Sequence, residues 1–105
     1  MDTIKIGEFE YRIKKMNAIE TLALRSQYRA DATYEETANF YNTVLERMEV
    51  NAGKEWLPVK TPGKDIYYPA GIENDIAAIE KLILHFVQHI TEVFQKSNES
   101  KETTK

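Results

Sequence analysis

The carboxyl-terminal third of the chain carries the feature that most constrains the fold, a long apolar seam with helical spacing. Its members are Ile72, Ile76, Ile79, Ile83, Phe86, Ile90 and Val93, with Leu82, Leu84, Val87 and Phe94 beside them. Steps that alternate between four and three residues predict one amphipathic helix of about 23 residues, or about 35 Å. Its apolar surface exceeds what one side of a small domain buries, so we expect the remainder to meet a second copy of the chain.

The amino-terminal residues alternate with a period of two instead. The apolar members are Ile4, Ile6, Phe9, Tyr11 and Ile13. The pattern is interrupted once, at Gly7-Glu8. Alternation on both sides of a glycine predicts a β-hairpin with one face buried.

Two further helices are predicted by their capping residues. Asn17 has Glu20 three positions later, and Thr33 has Glu36 at the same distance, as in a capping box. The second helix is then marked by a stripe at Tyr34, Ala38, Tyr41, Leu45 and Met48. We predict that this helix continues through Met48 to about Val50 and that its stripe packs in the core.

The segment 49–71 has turn chemistry and aromatic residues. Asn51-Ala52-Gly53-Lys54 and Thr61-Pro62-Gly63-Lys64 are typical of turns, and they bracket Trp56-Leu57-Pro58-Val59. We predict short strands here, with Pro58 in an edge strand because proline cannot donate to a neighbouring strand. The exact path of the segment stays open.

Composition restricts the classes of function. The chain has 105 residues, 14 Lys+Arg against 17 Asp+Glu and no cysteine. We expect one α+β domain over residues 1–95, followed by a disordered polar tail over 96–105. A net charge of −3 makes nucleic-acid binding unlikely on electrostatic grounds. No apolar run is long enough to span a membrane, and the first residues do not resemble a signal peptide, so we expect a cytoplasmic protein.

Candidate chemistry is sparse. His85 and His89 lie four residues apart on the predicted long helix, and Glu92 follows three positions later, so a metal site is conceivable. The zincin motif needs a glutamate directly after the first histidine, where this chain has Phe86, and a polar helix flank explains the three residues as well. No nucleophile–base motif is present in the sequence. We therefore predict no enzymatic activity and no cofactor, and we leave metal binding by the two histidines open.

Large aromatic and aliphatic side chains are the better candidates for function. Trp56, Tyr67 and Tyr68 stand beside turns and an edge strand, where they form either a small satellite core or an anchor for a partner. We predict a partner-binding surface from these aromatics and the long helix. Its members are Trp56, Tyr67, Tyr68, Leu82, Phe86, Ile90 and Phe94.

The order of the parts resembles a known family. A hairpin over residues 4–11 leads into Met16-Asn17-Ala18-Ile19-Glu20-Thr21-Leu22-Ala23-Leu24. A helix ending in Val44-Leu45-Glu46-Arg47-Met48-Glu49-Val50 precedes Trp56-Leu57-Pro58-Val59, and a long helix from Ile72 closes the chain. Over residues 3–95 this looks like the small tail assembly chaperones of long-tailed bacteriophages of Gram-positive hosts.

The resemblance implies a non-enzymatic role in the host cytoplasm. Such chaperones coat the helical tape measure protein, keep it soluble and help to recruit tail tube subunits, and they often exist in a short and a frameshifted long form. Two alternatives stay open. One is a small acidic phage inhibitor of a host nuclease, and the other is a general protein-interaction module.

Overall fold

Four strands and three helices follow one another in an α+β arrangement. The computed structural model describes the backbone of residues 3–103 and the side chains of residues 3–93. The strands are β1 (Thr3–Ile6), β2 (Phe9–Ile13), β3 (Met48–Asn51) and β4 (Trp56–Pro58). The helices are α1 (Ala18–Gln27), α2 (Tyr34–Glu46) and α3 (Ile76–Thr103), and a 3-10 turn, Ile72–Asn74, precedes α3. The predicted fold class and the order of its main parts are confirmed.

The strands form one antiparallel sheet in the order β1-β2-β3-β4. Ile6 pairs with Phe9, so Gly7 and Glu8 form the predicted two-residue hairpin loop. Gly7 has a φ of 62°, and Glu8 does not have a positive φ, which is the pattern of a type II′ turn. The two helices α1 and α2 are inserted between β2 and β3, which are neighbours in the sheet.

Both predicted caps are present. The Asn17 side chain accepts a hydrogen bond from the Glu20 N–H at 2.8 Å. At the start of α2, Thr33 Oγ1 accepts from the Glu36 N–H, and Glu36 Oε1 accepts from the Thr33 N–H. These local bonds satisfy amide groups that have no partner within the helix, and they fix where each helix begins.

The predicted end of α2 is wrong. The helix stops at Glu46, and Met48–Asn51 is a strand in the middle of the sheet. Met48 and Val50 are buried there, whereas Glu49 and Asn51 are half-buried on the other face. Pairing with β2 on one side and β4 on the other satisfies the backbone groups that a longer helix would have satisfied internally.

The path of residues 49–71 follows the predicted turns. Trp56–Pro58 is an edge strand that contains Pro58, as expected. The turn at 61–64 is closed by the Lys64 N–H, which donates to the Thr61 carbonyl at 3.0 Å. The chain then returns antiparallel, with Lys60 bridged to Tyr67.

The long helix begins four residues later than predicted. Ile72 is buried in the 3-10 turn, and Asp75 caps α3 by accepting a hydrogen bond from the Ala78 N–H at 3.1 Å. The buried side of α3 is formed by Ala78, Leu82, Ile83, Phe86 and Ile90. Two residues assigned to the seam, Ile76 and Val93, are instead exposed. Leu82, which was placed beside the seam, is fully buried.

The core lies between one face of the sheet and the three helices. Its buried apolar members are Tyr11, Leu24, Phe40, Val44, Leu45, Met48, Val50, Val59, Ile72, Ala78, Leu82, Ile83, Phe86 and Ile90. Among the described residues, no helix combines the length and hydropathy needed to cross a membrane. The backbone of α3 continues through Thr103, into the segment 96–105 for which we predicted a disordered tail, and the side chains of that segment are not described.

Candidate binding groove

An open groove of about 370 Å³ runs between α2 and the start of α3. The lining residues are Tyr34, Thr37, Ala38, Tyr41, Asn42, Leu45, Tyr67, Glu73, Ile76, Ile79 and Glu80. Four residues of the stripe that the sequence marks on α2 therefore line this groove, and of these Leu45 is also buried in the core as predicted. Tyr34 is 90% exposed and Ile76 is 73% exposed, so the groove has two large apolar side chains in contact with solvent.

Each wall of the groove is held by a different local structure. The capping box at Thr33 fixes the first turn of α2, from which Tyr34 projects. The Asp75 cap fixes the first turn of α3, which carries Ile76 and Ile79. Because both walls start at a capped helix terminus, the backbone that carries Tyr34 and Ile76 is fixed although both side chains are exposed.

Tyr67 lines the groove from a third segment of the chain, and a buried ion pair holds that segment in place. Lys60 Nζ lies 3.0 Å from Glu46 Oε2, and the Lys60 side chain is only 7% exposed. The same carboxylate oxygen accepts a hydrogen bond from the Gly63 N–H at 3.3 Å. The Lys60 N–H donates to the carbonyl of Leu45, which also lines the groove. The pair therefore fastens the strand-like segment that brings Tyr67 to α2.

The environment of Glu46 changes its acidity. Partial burial raises the pKa of this carboxyl group, but the hydrogen bonds from Lys60 and Gly63 and the charges of Lys60 and Arg47 outweigh that effect. The pKa of Glu46 therefore lies below its ordinary value of 4.5. Glu46 is charged in the folded protein at neutral pH.

The charged residues of the groove itself are acidic. Glu73 and Glu80 line it, and neither forms an ion pair within the described part of the chain. Both side chains are exposed. The groove therefore combines an apolar floor with carboxylates that form no ion pair among the described residues, which favours an apolar ligand with positive charge at its edges.

A second uncovered apolar surface lies on α1. This helix buries Thr21 and Leu24, whereas Ile19 is 80% exposed and Leu22 is 56% exposed. Ile19, Leu22 and the neighbouring Ala23 fall on one side of the helix at spacings of three and four residues. We call this side the outer face of α1. The spacing of apolar residues does not reveal this surface, because the more apolar side of a helix is expected to point to the core.

Of the predicted partner-binding aromatics, Tyr67 lines the groove and the other two lie elsewhere. Trp56 is half-buried on the outer face of the sheet, with the Arg12 guanidinium carbon 4.1 Å from its ring centroid. Arg12 also forms an ion pair with Glu49 at 2.8 Å. Tyr68 packs edge-to-face against Phe9, with ring centroids 6.0 Å apart.

The long-helix members of the predicted partner surface lie in the core. Leu82, Phe86 and Ile90 are at most 1% exposed, so in this conformation they hold α3 against the domain and cannot contact a partner. The predicted partner-binding surface is corrected at these three positions, because the side of α3 that carries them faces the core. Phe94 lies outside the part of the chain whose side chains are described.

The histidines do not form a recognisable ligand set. No group of three His, Cys, Asp or Glu side chains with metal-binding geometry occurs among the described residues. His85 is half-buried, and its Nε2 atom is buried without a hydrogen-bond partner, whereas Glu92 is exposed. The positions of the described side chains therefore do not indicate a metal site.

Comparisons with protein-family models, curated proteins and solved structures found no match to this chain.

Proposed function

We propose that this protein is a non-enzymatic chaperone that binds an apolar helical segment of a larger protein and keeps it soluble. The observation that supports this proposal is the open groove between α2 and α3, with its exposed Tyr34 and Ile76. The resemblance to tail assembly chaperones supplies the identity of the partner. In that case the client is a phage tape measure protein, the tail tube protein is recruited to the complex, and the site of action is the host cytoplasm.

The dimensions of the groove suit a helical client. The wall formed by α2 extends from Tyr34 to Leu45, which corresponds to three turns or about 16 Å. An amphipathic helix presents apolar side chains at steps of three and four residues, and such a stripe can lie along a groove of this length. Binding would bury apolar side chains of both proteins, each contributing about 1.5–3 kcal/mol when it is fully removed from water.

The alternative of a nuclease inhibitor has less support. Such an inhibitor would present carboxylates in place of nucleic-acid phosphates. Five of the described carboxylates, however, are in ion pairs with Lys or Arg side chains of this chain: Glu20, Asp31, Glu36, Glu46 and Glu49. The carboxylates that carry no partner at the groove lie beside apolar residues, which favours an apolar client.

Co-expression with fragments of a tape measure protein tests the proposal. We expect the wild-type chain to co-purify with at least one helical fragment and to keep it in the soluble fraction. The double variant Tyr34→Gln/Ile76→Gln should lose this effect, because both side chains are exposed in the groove. Leu84→Gln is the matched control, since Leu84 is an exposed leucine of α3 that does not line the groove. Failure of the wild-type chain to retain any fragment would refute the proposal.

A further inference from the structure

Two exposed apolar surfaces within the described part of the chain are complementary to each other. One is the outer face of α1, which is convex, and the other is the groove between α2 and α3. We propose that the outer face of α1 from one copy docks into the groove of a second copy. This inference does not rest on the proposed function, because it concerns only two copies of the same chain.

The lengths of the two surfaces agree. The ten residues of α1 form a helix of about 15 Å, and the α2 wall of the groove is about 16 Å long. Ile19, Leu22 and Ala23 provide the apolar stripe that a helix in a groove requires. No residue of α1 is among those that line the groove, so within one described chain the two surfaces are separate.

Charge supports the same pairing. Lys14 and Lys15 directly precede α1, are exposed and form no ion pair within the described residues. Glu73 and Glu80 in the groove likewise lack a basic partner there. Opposite charges at the edge of an apolar contact favour this orientation over one that brings two acidic grooves together.

The contact has a defined symmetry. Because the outer face of α1 meets a different surface on its partner, a single contact is heterologous, and it leaves a free groove on the first copy and a free outer face on the second. Successive copies therefore associate head to tail, into a ring or into an open chain. A symmetric dimer would form only if both contacts are made at once, with α1 of each copy in the groove of the other.

Two complementary variants test the contact. Ile19→Gln/Leu22→Gln alters only the outer face of α1, and glutamine keeps the helix propensity of leucine. Tyr34→Gln/Ile76→Gln alters only the groove. All four side chains are exposed, so neither double variant removes a core contact. Leu84→Gln again serves as the matched control, and circular dichroism checks that each variant is folded.

The readout is the molar mass in solution, measured by sedimentation and light scattering from about 1 μM to 1 mM, a range that covers weak to moderate affinities. We expect the wild-type chain and Leu84→Gln to exceed the monomer mass of 12.2 kDa as concentration rises. Each double variant alone should have a dissociation constant about tenfold or more above that of the wild type. An equimolar mixture of the two should form a one-to-one heterodimer, because the mixture retains one intact outer face and one intact groove.

Three results would overturn the inference: a wild-type chain that stays monomeric over the whole range, double variants that associate like the wild type, or a mixture that does not form the heterodimer. These outcomes are separate from the test of the proposed function. A monomeric chain that still retains tape measure fragments would refute the self-association and leave the chaperone proposal standing. A self-associating chain that retains no fragment would refute the chaperone proposal and leave the self-association standing.

Discussion

Replacement of Glu46 by glutamine gives the sharpest test of how the groove is held together. Glutamine keeps the shape of the side chain and removes its charge. Lys60 is then left with a neutral acceptor while its side chain remains almost entirely buried. The Gly63 N–H loses a charged acceptor in the same step.

The cost of this substitution can be bounded from the environment of the pair. Removal of one partner from a fully buried ion pair costs about 3–5 kcal/mol, because the remaining charge is uncompensated. Glu46 is 20% exposed and glutamine can still accept one hydrogen bond, so we expect a smaller loss of about 2 kcal/mol in the free energy of unfolding. Glu46→Gln combined with Lys60→Met should recover much of the loss, since no buried charge then remains.

The pH dependence of this loss of unfolding free energy shows whether it arises from the charge of Glu46. The pKa of Glu46 is lowered in the folded protein, so its charge stabilises the fold above the unfolded value near 4.5. This contribution disappears as the pH falls through the folded pKa, because the wild-type carboxyl group is then neutral like glutamine. The difference in unfolding free energy between wild type and Glu46→Gln should therefore shrink as the pH falls below about 4.5.

Urea unfolding of both proteins at neutral pH and at several acidic pH values measures this difference. Glu36→Gln is the control, because it removes a charge from an exposed pair with Arg29 and retains a side chain that can complete the capping box. We expect the control to lose less unfolding free energy than Glu46→Gln at neutral pH, because the pair of Glu36 with Arg29 is exposed. If Glu46→Gln loses only as much unfolding free energy as Glu36→Gln, or if its loss does not change with pH, then the ion pair of Glu46 and Lys60 does not stabilise the fold as we infer.

Three further outcomes follow from the described contacts. Leu82→Ala should cost about 2–5 kcal/mol in urea unfolding, whereas Leu84→Ala should change stability by less than about 0.5 kcal/mol, because only Leu82 is buried. Asp75→Ala should lower stability by about 1 kcal/mol in thermal unfolding, since it removes the cap of α3. Arg12→Ala should shift the fluorescence of Trp56, the single tryptophan, to longer wavelength, because the ring loses the guanidinium that covers it. An unchanged spectrum would contradict that contact.

Elements defined by neighbouring residues were predictable from the sequence. The hairpin follows from Gly7-Glu8 and the alternation around it, and the start of α2 follows from Thr33 and Glu36. In each case the residues that decide the geometry also make the hydrogen bonds or the turn. Local physical chemistry is sufficient for such elements, and this is why their boundaries agree with the structure.

The strand β3 was not predictable in the same way. Met48 continues the four-and-three spacing of the α2 stripe, and no glycine or proline separates Glu46 from Met48. What makes Met48–Asn51 a strand is pairing with β2, which is more than 30 residues away in the sequence. The ion pair between Arg12 and Glu49 joins the same two strands. Contacts that distant leave no signal in a short window of sequence.

The candidate groove shows most clearly what the helical spacing of apolar residues cannot predict. Spacing shows which residues of a helix share a side, but it does not say whether that side faces the core. On α3 the buried residues include Leu82, whereas Ile76 in the first turn is exposed. On α1 the apolar side chains of Ile19 and Leu22 are also exposed. The groove and the outer face of α1 are therefore visible only once the packing is known.

The two proposals make opposite demands on the same groove. If α1 of a second copy docks there, then a helical client must displace it, and the two ligands compete for Tyr34 and Ile76. Competition would keep an apolar groove covered until a client is present, which lowers the exposure that otherwise promotes aggregation. It also sets a condition on affinity. The client must bind the groove more tightly than α1 does at the working concentration, and a client that binds more weakly leaves the copies associated with one another.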